Sequence, residues 1–297
     1  MTQPWKGTFT AIVTPFQPDG TLDESALRAL VQRQIEGGVE GLVPCGTTGE
    51  SATMSTREKL RVTEIVRDQS AGRALVLAGA GGNSTNDVVA LAKEIDGIGV
   101  DGILVVVPYY NKPTQEGLFQ HFATVADALR TPVVMYNVPG RTSTNMEAPT
   151  ALRLAEHGNI VATKEASGSL AQVMDIIQNA PPGFSVLSGE DELTLPIIAL
   201  GGHGVVSVAS NETPGKMSDL VRLALEGKIA EAKALHYGLL TLIRLNFIEP
   251  NPIPVKAALA LMGLIHEEYR LPLTRISPRN RERLQAELAN LQLVEAP

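Results

Sequence analysis

The sequence predicts an α/β protein built from eight parallel strand–helix units, and three observations carry that expectation. Short β-branched runs alternate with amphipathic stretches along most of the chain. The runs are apolar throughout instead of alternating with polar residues, which marks strands covered on the outside by helices. Their number, eight, is the one that closes a parallel sheet on itself as a (β/α)8 TIM barrel, a unit of about 250 residues. A doubly wound open sheet is the structural alternative. Its dinucleotide-binding version lacks support, because no G-x-G-x-x-G follows the first strand.

In chain order the expected strands begin with "TFTAIVTPF" (8–16), "GLVPCG" (41–46), "ALVLAGAG" (74–81) and "GILVVVP" (102–108). They continue with "PVVMYN" (132–137), "IVATKEA" (160–166), "FSVLSGE" (184–190) and "GVVSVAS" (204–210). Helical patterns lie between them. "DESALRALVQRQIEGG" (23–38) opens on acidic residues and stops at glycine, as the helix dipole and C-cap preferences require. "STREKLRVTEIVRDQSAG" (55–72) is a second helix, and "STNDVVALAKEIDGIG" (84–99) starts with cap-competent Ser84 and Thr85. Beyond about residue 225 the strand signal stops. "GKIAEAKALHYGLLTLIRLNF", "PIPVKAALALMGL" and "SPRNRERLQAELANLQLV" read as three helices, with "EPNPIPVK" a rigid connector into the middle one. The expected organisation is a barrel over 1–225 and an all-helical C-terminal subdomain over 226–297.

Composition excludes several function classes. An apolar fraction of 44% and a charged fraction of 19% fit a soluble protein with a large core. A net charge of −7 gives no global attraction for nucleic acid or an anionic membrane, so an anionic substrate needs a local cation. The cationic "RISPRNRER" segment is followed by acidic residues and has no interleaved aromatics, which fits a solvated helix start. Cys45 is the single cysteine, and no Cys/His set has zinc-ligand spacing, so no metal is expected. The stretch "MTQPWKGTFTAIVTPF" lacks the charged start and long apolar segment of a signal peptide, and runs such as "ILVVV" are too short to span a bilayer. The expected location is cytoplasmic.

Barrel chemistry sits at the C-terminal ends of the strands. There the sequence places "CGTTGES", "PYYN", "YNVPGRT", "TKEASG" and "SGED". The cluster "LGGHG" (200–204) precedes the eighth strand, the wrong end for a phosphate cup, and His203 reads as a structural loop residue. Lys164 is the only lysine in an expected strand. It is either a side chain reaching out to water or a placed nucleophile. Pairing with Glu165 is geometrically poor, since neighbours on a strand point to opposite faces, and Glu165 is assigned a structural role. An ordinary lysine has well under ~1% neutral amine at neutral pH; lowering its pKa by about three units costs ~4 kcal/mol of desolvation but yields a usable nucleophile. With no metal set, Ser–His–Asp set or phosphate loop nearby, imine formation with a carbonyl substrate is the natural role. Tyr136, ending the adjacent strand, is either the proton shuttle such chemistry needs or a core tyrosine. Thr47 and Thr48, between Gly46 and Gly49, offer hydroxyls and N–H groups to a carboxylate, although a tight turn alone would explain the glycines. Arg141, five residues past Tyr136, can clamp a carboxylate bidentately or lie on the surface.

Taken together, "TAIVTPF", "GTTGES", "PYYNKPTQEGL", "YNVPGRT", "KEASG", "SGED", "GGHGVVSV" and "NPIPVKAAL" resemble, in order and spacing over nearly the whole chain, the dihydrodipicolinate synthase family of pyruvate-dependent class I aldolases. The resemblance implies that Lys164 forms an imine with pyruvate, whose enamine attacks the aldehyde of L-aspartate 4-semialdehyde, with no cofactor. It implies that Tyr136 moves protons through Thr47 to a Tyr110 supplied by a neighbouring subunit, hence a homotetramer of paired dimers. Thr48 would hold the pyruvate carboxylate, Arg141 the semialdehyde carboxylate, and Gly189 and the Val206 carbonyl would line the pocket. Ser51, Ala52, Asn83 and Tyr109 match the effector site of lysine-inhibited members. Thr56 and Lys59 stand where those members tend to carry histidines, and Asp87 replaces a glutamate. A cationic Lys59 repels a cationic effector, so weak or absent lysine inhibition is expected. The rival readings are another aldolase of the superfamily, acting on N-acetylneuraminate or 2-keto-3-deoxy sugar acids, and a catalytically inactive barrel that senses metabolites. Arg141 in "PGRT" favours a small carboxylated aldehyde over a polyol.

Overall fold

All eight apolar runs form strands, each shorter than the run that announces it. In the computed structural model, which describes residues 5–295, the first half contains β1 (Gly7–Thr10), α1 (Glu24–Glu36), β2 (Gly41–Leu42), α2 (Thr56–Ser70), β3 (Leu75–Gly79) and α3 (Thr85–Ile98). Next come β4 (Gly102–Val106), α4 (Gln115–Asp127), β5 (Val133–Asn137), α5 (Pro139–Thr142), α6 (Ala148–Ala155), β6 (Ile160–Glu165) and α7 (Leu170–Asn179). The barrel ends with β7 (Ser185–Ser188), α8 (Thr194–Ala199), β8 (Gly204–Ser207) and α9 (Pro214–Leu225). Three further helices follow: α10 (Ile229–Leu245), α11 (Ile253–Leu261) and α12 (Pro278–Asn290). Residues 1–4 and 296–297, the outer edges of the two expected regions and part of the stretch read for a signal peptide, lie outside the described residues. Among the described residues no helix is long and apolar enough to cross a membrane.

The strands pair in chain order, and β8 pairs back onto β1, so the parallel sheet is closed. Strands stop early where the chain turns towards the mouth. In β2, Pro44 has no N–H to give a ladder and Cys45 adopts a left-handed φ of 58°, so pairing ends at Leu42. The caps follow the sequence: Asp23 accepts from the Ala26 N–H at the start of α1, and Ser55 and Glu58 form a reciprocal capping box on α2. Ser84 caps α3, which ends at Gly99 with φ 81°.

Alternate strand residues divide between two cores. Phe9, Leu77, Leu104, Val134, Leu187 and Val206 fill the barrel interior, and the opposite faces of the strands pack beneath the helical ring. Trp5 leans on Phe9, ring centroids 5.5 Å apart. Glycines make room for these rings: a Cβ at Gly41 would fall 2.2 Å from the Phe9 ring, and one at Gly102 2.6 Å from Trp5. Above this plug a cavity opens at the C-terminal ends of the strands.

The C-terminal helices are bound to that mouth. Lys256 of α11 is fully buried, and its Nζ lies 2.5 Å from Glu50 Oε1 in the loop after β2. The other Glu50 oxygen accepts the Arg270 N–H at 3.1 Å, and Lys256 also lies 4.4 Å from the Phe16 ring centroid. The sequence reading treated this segment as connector and helix without a partner for Lys256. Truncating one member of a buried pair leaves an uncompensated charge in the interior. Lys256→Met is therefore expected to lower the unfolding free energy by about 3–5 kcal/mol, and Glu50→Gln/Lys256→Met by less because no charge is stranded. Denaturant unfolding measures both; equal losses would contradict the charge argument.

Candidate active site

The strand ends enclose a cavity of about 360 Å³. Tyr136, Arg141, Lys164, Thr47, Thr48 and Gly189 all contribute to its wall, so six of the eight expected catalytic and substrate residues meet in one place. Lys164 and Tyr136 are direct register partners across β6 and β5, so both side chains leave the same face of the sheet. The Lys164 ammonium nitrogen lies 4.0 Å from the Tyr136 ring centroid. Gly189 makes the lysine possible: a Cβ there would stand 2.7 Å from the Ala166 Cβ and 3.1 Å from Lys164 Cε.

Burial governs the ionisation of both partners. Lys164 is 7% exposed. Desolvation of its ammonium brings the pKa down to about 7; nearby Asp191 opposes the shift and Arg141 adds to it. About half of the amine is then neutral at pH 7. Burial pushes the Tyr136 phenol up, with the Arg141 charge and the Thr47 hydroxyl acting against it. The site thus holds a neutral phenol beside an amine that is about half neutral at pH 7, an acid and a nucleophile in contact.

Glu165 points the other way, into the helical layer, where Asn137 Nδ2 and the Ser167 N–H donate to Oε1 at 3.0 and 2.9 Å. The Glu165–Lys164 pairing is absent, as strand alternation requires. His203 lies at the opposite end of the barrel and accepts the Val186 N–H at Nδ1, 3.1 Å, a structural contact.

Other expected residues fall elsewhere. The cavity wall on the β8 side is Val208, while the Val206 side chain is buried in the interior cluster. Tyr110 stands apart: it is 89% exposed and holds a left-handed φ of 75°. Ser51, Ala52, Lys59 and Tyr109 line an adjoining cavity of about 290 Å³, which also touches Thr47 and Arg141. Thr56 lies in a surface groove with Glu24 and Arg61. The Asn83 carbonyl accepts from Asn111 Nδ2 at 2.8 Å, and Asp87 sits in the first turn of α3.

Two residues here escaped the sequence reading. Asp191, inside the quoted "SGED", is buried and its Oδ2 accepts the Val208 and Ala209 N–H groups at 2.9 Å each. Asn251, inside the connector "EPNPIPVK", lines the cavity and donates from Nδ2 to Thr48 Oγ1 at 3.0 Å. The available signal for Asp191 was polarity at a strand end; for Asn251 it was only its place at the head of the quoted "NPIPVKAAL", since its contact spans 203 residues.

A folded pKa below the unfolded one means that the unfolded chain holds the lysine proton more tightly between pH 7 and 10.5. The burial penalty on Lys164 is therefore complete below about pH 7 and fades as pH rises to 10.5. Two outcomes are expected: a Lys164 ¹³Cε resonance titrating with a midpoint about 7, and a Lys164→Met variant whose gain in stability over wild type is larger at pH 6 than at pH 10.5. A midpoint at the ordinary lysine value of about 10.4 would refute the desolvation argument.

Comparison with known proteins gives a match over nearly the whole chain. The dihydrodipicolinate synthetase family profile matches residues 4–291. The chain is 53% identical over 281 residues to the 4-hydroxy-tetrahydrodipicolinate synthase of Koribacter versatilis, covering 94% of each. It is 51% identical over 290 residues to that of Syntrophus aciditrophicus, covering 98% of this chain and 99% of the relative. The crystal structure of dihydrodipicolinate synthase from Aquifex aeolicus superposes with a TM-score of 0.96 at 44% identity, over 98% of this chain and 100% of that one. With the eight-stranded barrel, the lysine–tyrosine pair and this full-length likeness in agreement, the chain belongs to the dihydrodipicolinate synthetase family.

Proposed function

We propose that this protein condenses pyruvate with L-aspartate 4-semialdehyde through an imine on Lys164, the activity for which its relatives are named, and that it thereby serves lysine and diaminopimelate biosynthesis. The observation that carries the reading is the buried Lys164 amine held 4.0 Å from the Tyr136 ring centroid, in a cavity whose cation is Arg141. The neutral amine adds to the pyruvate ketone carbon, and the carbinolamine loses water to give the iminium. Loss of a methyl proton forms the enamine. Its carbon attacks the aldehyde, and the resulting alkoxide takes up a proton. The amine of the semialdehyde then attacks the former ketone carbon, closing the six-membered ring and releasing Lys164. No cofactor is needed, because the imine itself is the electron sink.

Tyr136 carries the protons of dehydration and condensation, with Thr47 as relay. Thr48 holds the pyruvate carboxylate and Arg141 that of the semialdehyde. Tyr110 projects from its loop, 89% exposed, which suits a residue that completes the relay in a neighbouring subunit. The assembly proposed is a homotetramer of paired dimers, and the place of work proposed is the cytoplasm. The arginine favours a small carboxylated aldehyde over the polyol aldehydes of the sugar-acid aldolases. Lys59 in the wall of the adjoining cavity opposes binding of L-lysine there.

Borohydride reduction in the presence of pyruvate is expected to fix an adduct on the peptide carrying Lys164. An adduct elsewhere, or turnover only with sugar aldehydes, would overturn the proposal. Tyr136→Phe is expected to lower kcat by about 10²-fold or more while the pyruvate adduct still forms. L-Lysine at low-millimolar concentration is expected to leave more than half of the activity in a steady-state assay.

A further inference from the structure

The geometry points to Asn251 as a positioning residue for the pyruvate carboxylate, acting by fixing the Thr48 hydroxyl as a donor into the cavity. The inference rests on the role proposed above for Thr48. A hydroxyl has one proton and two lone pairs, whereas an amide nitrogen only donates. Asn251 Nδ2 lies 3.0 Å from Thr48 Oγ1. Thr48 Oγ1 must therefore accept in this contact, and its own proton is free to point elsewhere. Among the described residues no protein acceptor takes that proton, while Thr48 is buried at 2% exposure and lines the cavity with Lys164 and Tyr136. The proton is therefore held for a ligand atom, and an anionic oxygen is the best acceptor for it.

The backbone that carries the amide is held firmly, while Asn251 Oδ1 has no partner among the described residues. Asn251 is 6% exposed at the entry to α11. Two contacts fix that helix: the Lys256–Glu50 pair at 2.5 Å, and the Tyr269 hydroxyl, which donates to the Ile253 carbonyl at 2.9 Å. Glu50 stands two residues after Thr48. The C-terminal helices thus grip one loop at two points, with a charge pair for position and a neutral amide for hydrogen-bond direction. Neutrality matters, because a carboxylate at residue 251 would accept the Thr48 proton and repel an anionic substrate.

The test compares Asn251→Asp, Asn251→Ala, Thr48→Val and Asn251→Ala/Thr48→Val, each shown to be folded by thermal unfolding. The readouts are pyruvate half-saturation in equilibrium borohydride trapping, and KM against kcat in turnover. Asn251→Asp, nearly isosteric but with its hydrogen-bond polarity reversed, is expected to raise pyruvate half-saturation by about 10–100-fold with a smaller effect on kcat. The defect relative to wild type shrinks at low pH, where the acid is protonated and donates again. Asn251→Ala is expected to raise half-saturation by about 3–10-fold, and to add nothing in the Thr48→Val background. If Asn251→Asp lowers the melting temperature but leaves pyruvate half-saturation within about twofold of wild type, the residue is structural and the inference fails. The same holds if Asn251→Ala has its full effect without the Thr48 hydroxyl. Should Asn251→Asp not fold, the alanine cycle alone decides. Unchanged pyruvate binding in Thr48→Val would instead remove the role given to Thr48, and the inference with it.

Discussion

The molecule is organised around the desolvation of one amine. Lys164 stands near the end of an interior strand with its side chain in the cavity at the barrel mouth, and burial is the main cause that brings its pKa down to about 7. A shift of that size corresponds to several kcal/mol of hydration lost by the ammonium. Only a scaffold that holds the strand end rigidly can maintain it. The closed parallel sheet does so by pairing β6 with β5 on one side and β7 on the other. Gly189 leaves the room that the side chain needs. The interior plug of Trp5, Phe9 and the branched residues above them excludes water from the opposite end.

The same constraint explains why the C-terminal helices are not a detached appendage. A mouth built only from βα loops would be mobile, because short strands such as β2 support long excursions on a few ladder bonds. In this chain the loop after β2 carries Thr47, Thr48 and Glu50; the Thr14 hydroxyl holds its Gly49 carbonyl from within the barrel, and the C-terminal helices add further ties from outside the repeat. Lys256 and the Arg270 N–H both bind the Glu50 carboxylate, and Asn251 binds Thr48. The Arg270 guanidinium continues the tie to Glu58 of α2, 2.5 Å away, in a half-buried pair.

Local pattern made the barrel legible, and long-range polar contact made part of the site illegible. Eight apolar runs, the Asp23, Ser55 and Ser84 caps and the glycine stops all act within a few residues, so periodicity and capping chemistry reveal them. Lys164 was legible for a related reason: a charge inside a strand contradicts its surroundings and demands an explanation. Strand-end position made Tyr136 and Arg141 candidates but left the first open as a core tyrosine and the second as a surface arginine. Lys256 broke the same rule inside an apolar helix and went unread, because its partner Glu50 lies 206 residues away and no local pattern announces it. Asn251 was hidden more thoroughly, in a proline-rich segment whose composition describes a linker. Tyr110 shows the converse limit, since its sequence position is clear while its side chain stands away from the cavity of its own chain.

Burial acts on the two central groups in opposite numerical directions and to one chemical end. It lowers the lysine and raises the tyrosine, so each is driven towards its neutral form. Arg141 then separates them, favouring the free amine on Lys164 and easing ionisation of Tyr136 against the desolvation that holds its proton. A neutral nucleophile and a neutral acid in contact can exchange roles without stranding net charge in a dry cavity, where an isolated ion would be costly. Glu165, adjacent in sequence to the lysine, would upset that balance if it shared the cavity. Strand alternation sends it behind the sheet, where Asn137, Ser167 and Gln172 surround it, so the pleat keeps a carboxylate away from the amine it follows.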